Sequence, residues 1–200
     1  MRNAILALAV VGLLAVPSFG AVNVALQSGG LSLVEVQQSA LPVTLTIDIL
    51  AGADVGLYSL SGDISASGLP NLTSVAGSFA WVPSFSVNLG PGFSFVNGAA
   101  AANGGWSGFG SARTDALSGP LGVWKNLAKV ASYQVQVSPT AAGQTVLTFS
   151  GGDYGGWPSS DDVGGADYGT ISALTINVVP EPATMALLAL GGLFLARRRA

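Results

Sequence analysis

The chain has 200 residues, of which seven are Lys or Arg and ten are Asp or Glu, for a net charge of −3, and it contains neither histidine nor cysteine. Without imidazole or thiol, the usual proton shuttle near neutral pH, thiol nucleophiles, disulfides and nearly all zinc or redox-metal sites are excluded. The scarcity of clustered basic residues likewise excludes nucleic acid as a partner, because phosphate binding needs Lys and Arg to replace counterions.

In chain order, the first element is an export label. Arg2 supplies a small positive region, Ala4 to Val16 form a charge-free apolar segment interrupted by Pro17, and Ser18-Phe19-Gly20 places small residues at both positions read by a signal peptidase. Cleavage is expected between Gly20 and Ala21, so residues 1–20 read as a signal peptide of helical character. The mature domain then runs over residues 21–179. It holds three basic residues (Arg113, Lys125, Lys129) against nine acidic ones, a net charge of −6. The mean hydropathy of +0.57 for the whole chain is therefore inflated by the apolar segments outside this domain.

Within the domain the apolar residues follow the two-residue period of half-buried strands. Val22, Val24 and Leu26 alternate with smaller or polar residues; Val43, Leu45, Ile47 and Ile49 alternate with Thr44, Thr46 and Asp48. Further strands are expected at Leu31 to Val36, Val55 to Ile64, Gly77 to Val82, Ser84 to Leu89, Phe93 to Val96, Lys129 to Val137, Thr145 to Ser150 and Thr170 to Val179. Turn chemistry separates them at Ser28-Gly29-Gly30, Gly90-Pro91-Gly92, Ser138-Pro139 and Gly151-Gly152-Asp153. A single internal helix is expected near Val123 to Lys129. Such a series of short strands predicts an all-β, antiparallel β-sandwich or jelly roll.

The opening strand, Leu41-Pro42-Val43-Thr44-Leu45-Thr46-Ile47, and the later pair Ala131 to Val137 and Thr140 to Phe149 with its Gly143 turn resemble the jelly rolls of cohesins and carbohydrate-binding modules. The resemblance implies the fold and carries no binding residue with it.

Two loop features invite a ligand. Trp106, in Asn103-Gly104-Gly105-Trp106-Ser107-Gly108-Phe109-Gly110, and Trp157, in Gly156-Trp157-Pro158, sit in glycine-rich stretches. On a loop tip either ring stacks on a sugar; inside the sandwich it pins the loop. Trp81 and Trp124 read as core. Gly151-Gly152-Asp153-Tyr154-Gly155-Gly156 is echoed by Gly164-Gly165-Ala166-Asp167-Tyr168-Gly169, with Asp161 and Asp162 between them. These four carboxylates are a candidate Ca²⁺ set, although their spacing fits no EF-hand; otherwise they are turn residues and solubilising charge. Glu35 with an aspartate, or Lys125 and Lys129 with a serine, are the only groupings for hydrolytic chemistry, and neither has the spacing of a formed pocket. Asn71-Leu72-Thr73 matches a glycosylation acceptor.

The last element is tripartite. Val179-Pro180-Glu181-Pro182 is followed by a charge-free apolar run from Ala183 to Ala196 and then by Arg197, Arg198 and Arg199. As a helix the run would reach only ~21 Å, short of the ~30 Å hydrocarbon thickness, and the arginines keep their end on the cytoplasmic side. An ordinary membrane anchor would be longer. The layout resembles the Pro-Glu-Pro C-terminal sorting signal, PEP-CTERM, of exported bacterial proteins. That resemblance implies recognition by a membrane-embedded transpeptidase, exosortase, with processing near the motif. It also implies an exported, non-enzymatic protein, transiently anchored in the inner membrane and then at the cell surface or in an exopolysaccharide matrix. Residues 180–200 are thus read as the sorting signal. The alternatives are a Ca²⁺-assisted carbohydrate-binding or adhesion module, an ice-binding surface, for which no repeated Thr-x-Thr array is present, and a glycoside hydrolase.

Overall fold

The computed structural model describes residues 21–53, 56–57, 59–85, 95–112, 126–154, 157–158 and 167–180, and within these the side chains of residues 112, 153, 154, 157, 158 and 167 are not considered. The signal segment, the C-terminal segment beyond Pro180, Asp161, Asp162, Lys125 and Trp124 lie outside the described residues. Among the described residues, no helix is long and apolar enough to cross a membrane.

The strands are β1 (Ala21–Gln27), β2 (Leu33–Gln37), β3 (Val43–Ala53), β4 (Ser59–Gly68), β5 (Leu72–Ser74), β6 (Ala80–Trp81), β7 (Val96–Ala100), β8 (Trp106–Ala112), β9 (Ala128–Val137), β10 (Gly143–Gly151), β11 (Asp153–Tyr154), β12 (Trp157–Pro158), β13 (Asp167–Ser172) and β14 (Leu174–Val179). Short 3₁₀ turns lie at Pro83–Phe85 and Ala102–Gly104. One sheet has the order β13-β1-β3-β9-β5, with β6 also pairing β9; the other runs β2-β14-β10-β4-β8-β7, and β11-β12 form a small hairpin.

The alternation read in the sequence fixes which face each strand buries. Ile47, Ile49, Ala51 and Ala53 of β3 face the core, as do Tyr133, Val135 and Val137 of β9 and Leu174, Ile176 and Val178 of β14. An aromatic cluster fills the interior: Phe79, Trp81, Phe85, Trp106, Phe109, Tyr133 and Phe149 are all buried. Phe79 lies 5.1 Å from Phe109 and 5.4 Å from Trp106, centroid to centroid. With no disulfide to cross-link it, the sandwich is held by this apolar interior.

Several expectations need correction. The sheets are mixed rather than purely antiparallel, since β1 runs parallel to β13 and β2 parallel to β14. The cause is topological: β1 and β2 pass into different sheets across the Ser28–Leu31 turn, and β13 and β14 divide in the same way at Ala173. The two terminal pairs then lie side by side in the same direction. Thr170 to Val179 is consequently two strands and not one. The helix expected to reach Lys129 does not, because Ala128 already pairs with Ala51 in the sheet. Ser84 and Phe85, expected in a strand, belong to a 3₁₀ turn. The glycine-rich stretch around Trp106 is strand β8, whose Gly110 pairs with both β4 and β7.

Candidate functional site

Two regions of the molecule bear on function, and the first is the junction with the C-terminal signal. Val178 is 1% exposed and pairs with Gly143. Val179 is half-buried, pairs with Gln37, and its carbonyl accepts the Gln38 amide at 2.8 Å. Pro180 is exposed. Lacking an N–H, it cannot extend the ladder, so β14 ends there. The Pro180-Glu181-Pro182 motif therefore leaves a central strand directly, without a linker; Glu181, Pro182, Arg197, Arg198 and Arg199 are outside the described residues. At the other end Ala21, the residue after the expected cleavage position at Gly20, already pairs with Asp167 as the first residue of β1.

The second region is the outer face of the sheet containing β3 and β9. Pairing sets Thr73, Gln136 and Thr44 in one row, Gln134 beside Thr46 in the next, and Ser132, Asp48 and Gln27 in a third. Thr44, Thr46, Thr73, Gln134 and Gln136 are all exposed. The face is thus hydroxyl- and amide-rich. An ion pair on it joins Lys129 Nζ to Asp48 Oδ1 at 2.6 Å, with side chains 46% and 25% exposed. The lysine is the only partner of that carboxylate oxygen among the described residues. Solvent screening keeps such a pair within about 1 kcal/mol.

A groove of about 370 Å³ opens at the end of this face, lined by Asn23, Val24, Gly52, Asn126, Leu127, Thr170 and Ser172. Glycine is required at position 52 because the chain entering β9 passes directly over it: a Cβ there would lie 2.5 Å from the Asn126 carbonyl oxygen. Asn23 is held by accepting the Thr170 amide at its Oδ1, 2.8 Å away. Among the described residues the lining has no ionisable side chain; it offers amides and hydroxyls beside the apolar Leu127.

Trp106 is not a glycan platform. It is 2% exposed, its Nε1 donates to the Asn97 carbonyl at 2.6 Å, and its ring packs 5.3 Å from Tyr133. The adjoining turn is fastened to the core as well: Tyr133 donates its hydroxyl to Gly104 O at 3.0 Å, and Ser74 Oγ donates to Gly105 O at 2.6 Å. Burial pushes the Tyr133 phenol above its ordinary range. Trp81 is a core residue, as its regular context suggested. Trp157 lies in β12, Asp153 in β11 and Asp167 in β13, and with Asp161 and Asp162 outside the described residues the four carboxylates stand as a candidate set only.

Asn71, read as part of a glycosylation triplet, is 5% exposed and clamps a neighbouring loop. Its Nδ2 donates to Ala142 O at 3.1 Å while its Oδ1 accepts Ala142 N at 3.2 Å. Glu35 and Asp63 occupy β2 and β4, with β14 and β10 between them. Three strand spacings of about 4.8 Å put them at least ~14 Å apart, beyond the ~5–9.5 Å of a glycosidase pair. Asp63 Oδ1 is committed to the Gly108 amide at 2.8 Å. The hydroxyl and amide rows were present in the sequence as the polar half of each alternation; only the strand pairing brought them together.

Fold and junction define the class: a two-sheet jelly-roll β-sandwich that runs without interruption into a sorting signal. Comparison with solved structures shows a cohesin-like fold. A type I cohesin–dockerin complex from Clostridium thermocellum, Coh-OlpA-Doc918, matches with TM-score 0.50 at 9% identity, covering 80% of this chain and 99% of that one. The cohesin CaCohA2 from Clostridium acetobutylicum matches at 16% identity over 78% of this chain and 91% of that one, with TM-score 0.48. The seventh ScaB type I cohesin of Pseudobacteroides cellulosolvens gives 16% identity, 80% and 94% coverage and TM-score 0.45. No curated protein matches by sequence. Residues 178–200 match the family described as the PEP-CTERM protein-sorting motif. The chain has a cohesin-like fold and carries that motif, which indicates an exported protein processed at the membrane.

Proposed function

We propose that this is a non-enzymatic, exported surface or extracellular-matrix protein, cleaved by signal peptidase, sorted by an exosortase-type transpeptidase, and associated with exopolysaccharide. The observation that carries the reading is the junction at Val179 and Pro180. The motif begins at an exposed proline immediately after the last residue of a non-edge strand, where a membrane-embedded enzyme would meet it. Final residence at the cell surface or in the matrix follows from the sorting route. The lack of histidine and cysteine and the wide separation of Glu35 from Asp63 support a module that binds and does not catalyse.

The direct test is expression in an exosortase-bearing bacterium of the chain and of a Pro180→Ala/Glu181→Ala/Pro182→Ala variant, followed by fractionation and mass analysis of the C-terminus. The parent is expected to lose the apolar segment and leave the membrane fraction, with the variant retained at full length. Equal release of both refutes the sorting reading.

For the binding role we propose the outer face and its groove, a location supported by their hydroxyl and amide lining, which suits a polysaccharide. Retention on the producing bacterium's own exopolysaccharide should be weakened by Leu127→Asp; unchanged retention refutes that location. Calcium assistance through Asp153, Asp161, Asp162 and Asp167 is the second reading. It requires melting temperature to rise with added Ca²⁺ and to fall back with chelator.

A further inference from the structure

The end of the sandwich from which Pro180 emerges has a composition unlike the rest of the molecule. Four segments meet there: the end of β14, the Gln38–Pro42 connection after β2, the Gly68–Asn71 connection after β4, and the Ser138–Ala142 connection before β10. Hydrogen bonds lock them together. Gln38 Nε2 donates to Pro139 O at 3.1 Å, Ser138 N to Asn71 O at 3.0 Å and Leu69 N to Gln144 O at 3.1 Å. Thr145 Oγ1 and Asn103 Nδ2 both donate to Leu69 O, at 2.8 and 2.9 Å.

On this fixed platform two leucines project into solvent, Leu41 at 74% and Leu69 at 51% exposure. Leu69 rests partly against Gly143 at the start of β10, and Leu41 is the more open of the two. Single exposed leucines are ordinary on a protein surface. These two stand out by what surrounds them. No Asp, Glu, Lys or Arg occurs in residues 36–47, 64–80 or 130–152, the stretches that build this end. The first charge met along the second sheet is Glu35, two residues before the end of β2. Among the described residues the connections at this end are thus uncharged in a domain carrying −6 overall, and Glu181 follows directly after Pro180.

That end lies next to the apolar segment of the sorting signal. Between Val179 in the sheet and Ala183 at the start of the apolar run there are only Pro180, Glu181 and Pro182, so the two ends of this link are at most about 14 Å apart when extended. With the run in a bilayer, the end of β14 is tethered within about 14 Å of the hydrocarbon edge, close enough for the connections beside it to reach the headgroup layer.

We infer that this end is a lipid-facing surface. Resting on the sorting reading, and for as long as the C-terminal segment holds the chain in the membrane, Leu41 and Leu69 sit in the interfacial layer of the phospholipid bilayer. The neutral loops around them lie against the headgroups and set the domain upright. The internal hydrogen bonds of the platform lower the cost of approach to the membrane, since the bonded backbone groups need no water. The loops themselves carry no charge for anionic lipid to repel; the acidic residue beside them in sequence is Glu181.

The absence of cysteine makes the test clean. Leu41→Cys, Leu69→Cys and, at the opposite end of β2, Leu31→Cys, itself an exposed leucine at 59%, each carry an environment-sensitive fluorophore on the full chain. The chain is reconstituted into vesicles of phosphatidylethanolamine and phosphatidylglycerol containing a lipid-borne nitroxide quencher. Quenching at positions 41 and 69 is expected to exceed that at 31 by about threefold or more, as for side chains buried in the interface. With the probe at Thr140→Cys, adding Leu41→Asp and Leu69→Asp should lower its quenching to the level at 31. A chain that floats with the vesicles but shows equal quenching at all sites overturns the docking alone. A chain that does not float overturns the anchored reading and the docking with it.

Discussion

Replacing Trp106 with alanine separates a core tryptophan from a ligand platform. The ring is 2% exposed, packed at tilted angles against Phe79 and Tyr133, and its Nε1 donates to the Asn97 carbonyl of edge strand β7. Truncating a tryptophan to alanine in a core costs about 3–5 kcal/mol, the spread reflecting how far neighbours collapse into the space. Here Phe79, Phe109 and Tyr133 come from three different segments, which limits collapse and favours the upper half of that range. Asn97 is exposed, so water replaces the lost donor and adds little. At about 2–4 °C per kcal/mol for a domain of this size, the melting temperature should fall by roughly 8–20 °C. Trp106→Phe keeps most ring contacts and should lose only about 1–2 kcal/mol. Differential scanning calorimetry and urea titration of the two variants measure both values. A Trp106→Ala protein melting within 2 °C of the parent would refute the core assignment and reopen the loop-platform reading.

Asn71→Ala removes both bonds to Ala142 and should destabilise by about 1–2 kcal/mol in urea titration, because the buried Asn71 side chain is lost while water can take up part of the bonding at the exposed Ala142; a loss under ~0.5 kcal/mol would show the clamp to be idle. Lys129→Ala should cost no more than about 1 kcal/mol, shrinking further in high salt, given how exposed the pair with Asp48 is. Tyr133 gives the pH dependence. Its buried phenol keeps its proton in the fold while the unfolded chain loses it above pH about 10, so its stabilisation is complete below that pH and declines as pH rises further. Melting curves from pH 8.5 to 11 should drop more steeply for the parent than for Tyr133→Phe, and parallel curves would sink the assignment.

Much of the sandwich was legible because alternation is a local property. The inward sets of β1, β3, β9, β10 and β14 are visible as runs of Val, Ile and Leu separated by Thr, Gln or Asn. β8 was not legible. Its Gly108 and Gly110 read as loop, yet they occur where the strand is bulged and crowded: Asp63 caps the Gly108 amide, and across from it Gly98, at φ +68°, has no room for a Cβ, which would lie 2.1 Å from Ser107 O. Trp106 was misplaced for the same reason, since a glycine-rich neighbourhood suggests a tip until β4 and β7 are known to flank it. The parallel pairs escaped because nothing within β1, β2, β13 or β14 encodes which strand, far away in sequence, will lie alongside.

The sequence by itself determined the all-β class, the exclusion of thiol, imidazole and polyanion chemistry, and the sorting motif at residues 178–200, since composition, two-residue periodicity and linear motifs reside in neighbouring residues. Tertiary structure alone decided that the sheets are mixed, that Trp106 is interior, that Asn71 is a clamp, and that Leu41 and Leu69 share a neutral end with Pro180. Those properties depend on contacts between residues dozens of positions apart, made when burial of the two apolar faces selects one pairing of strands.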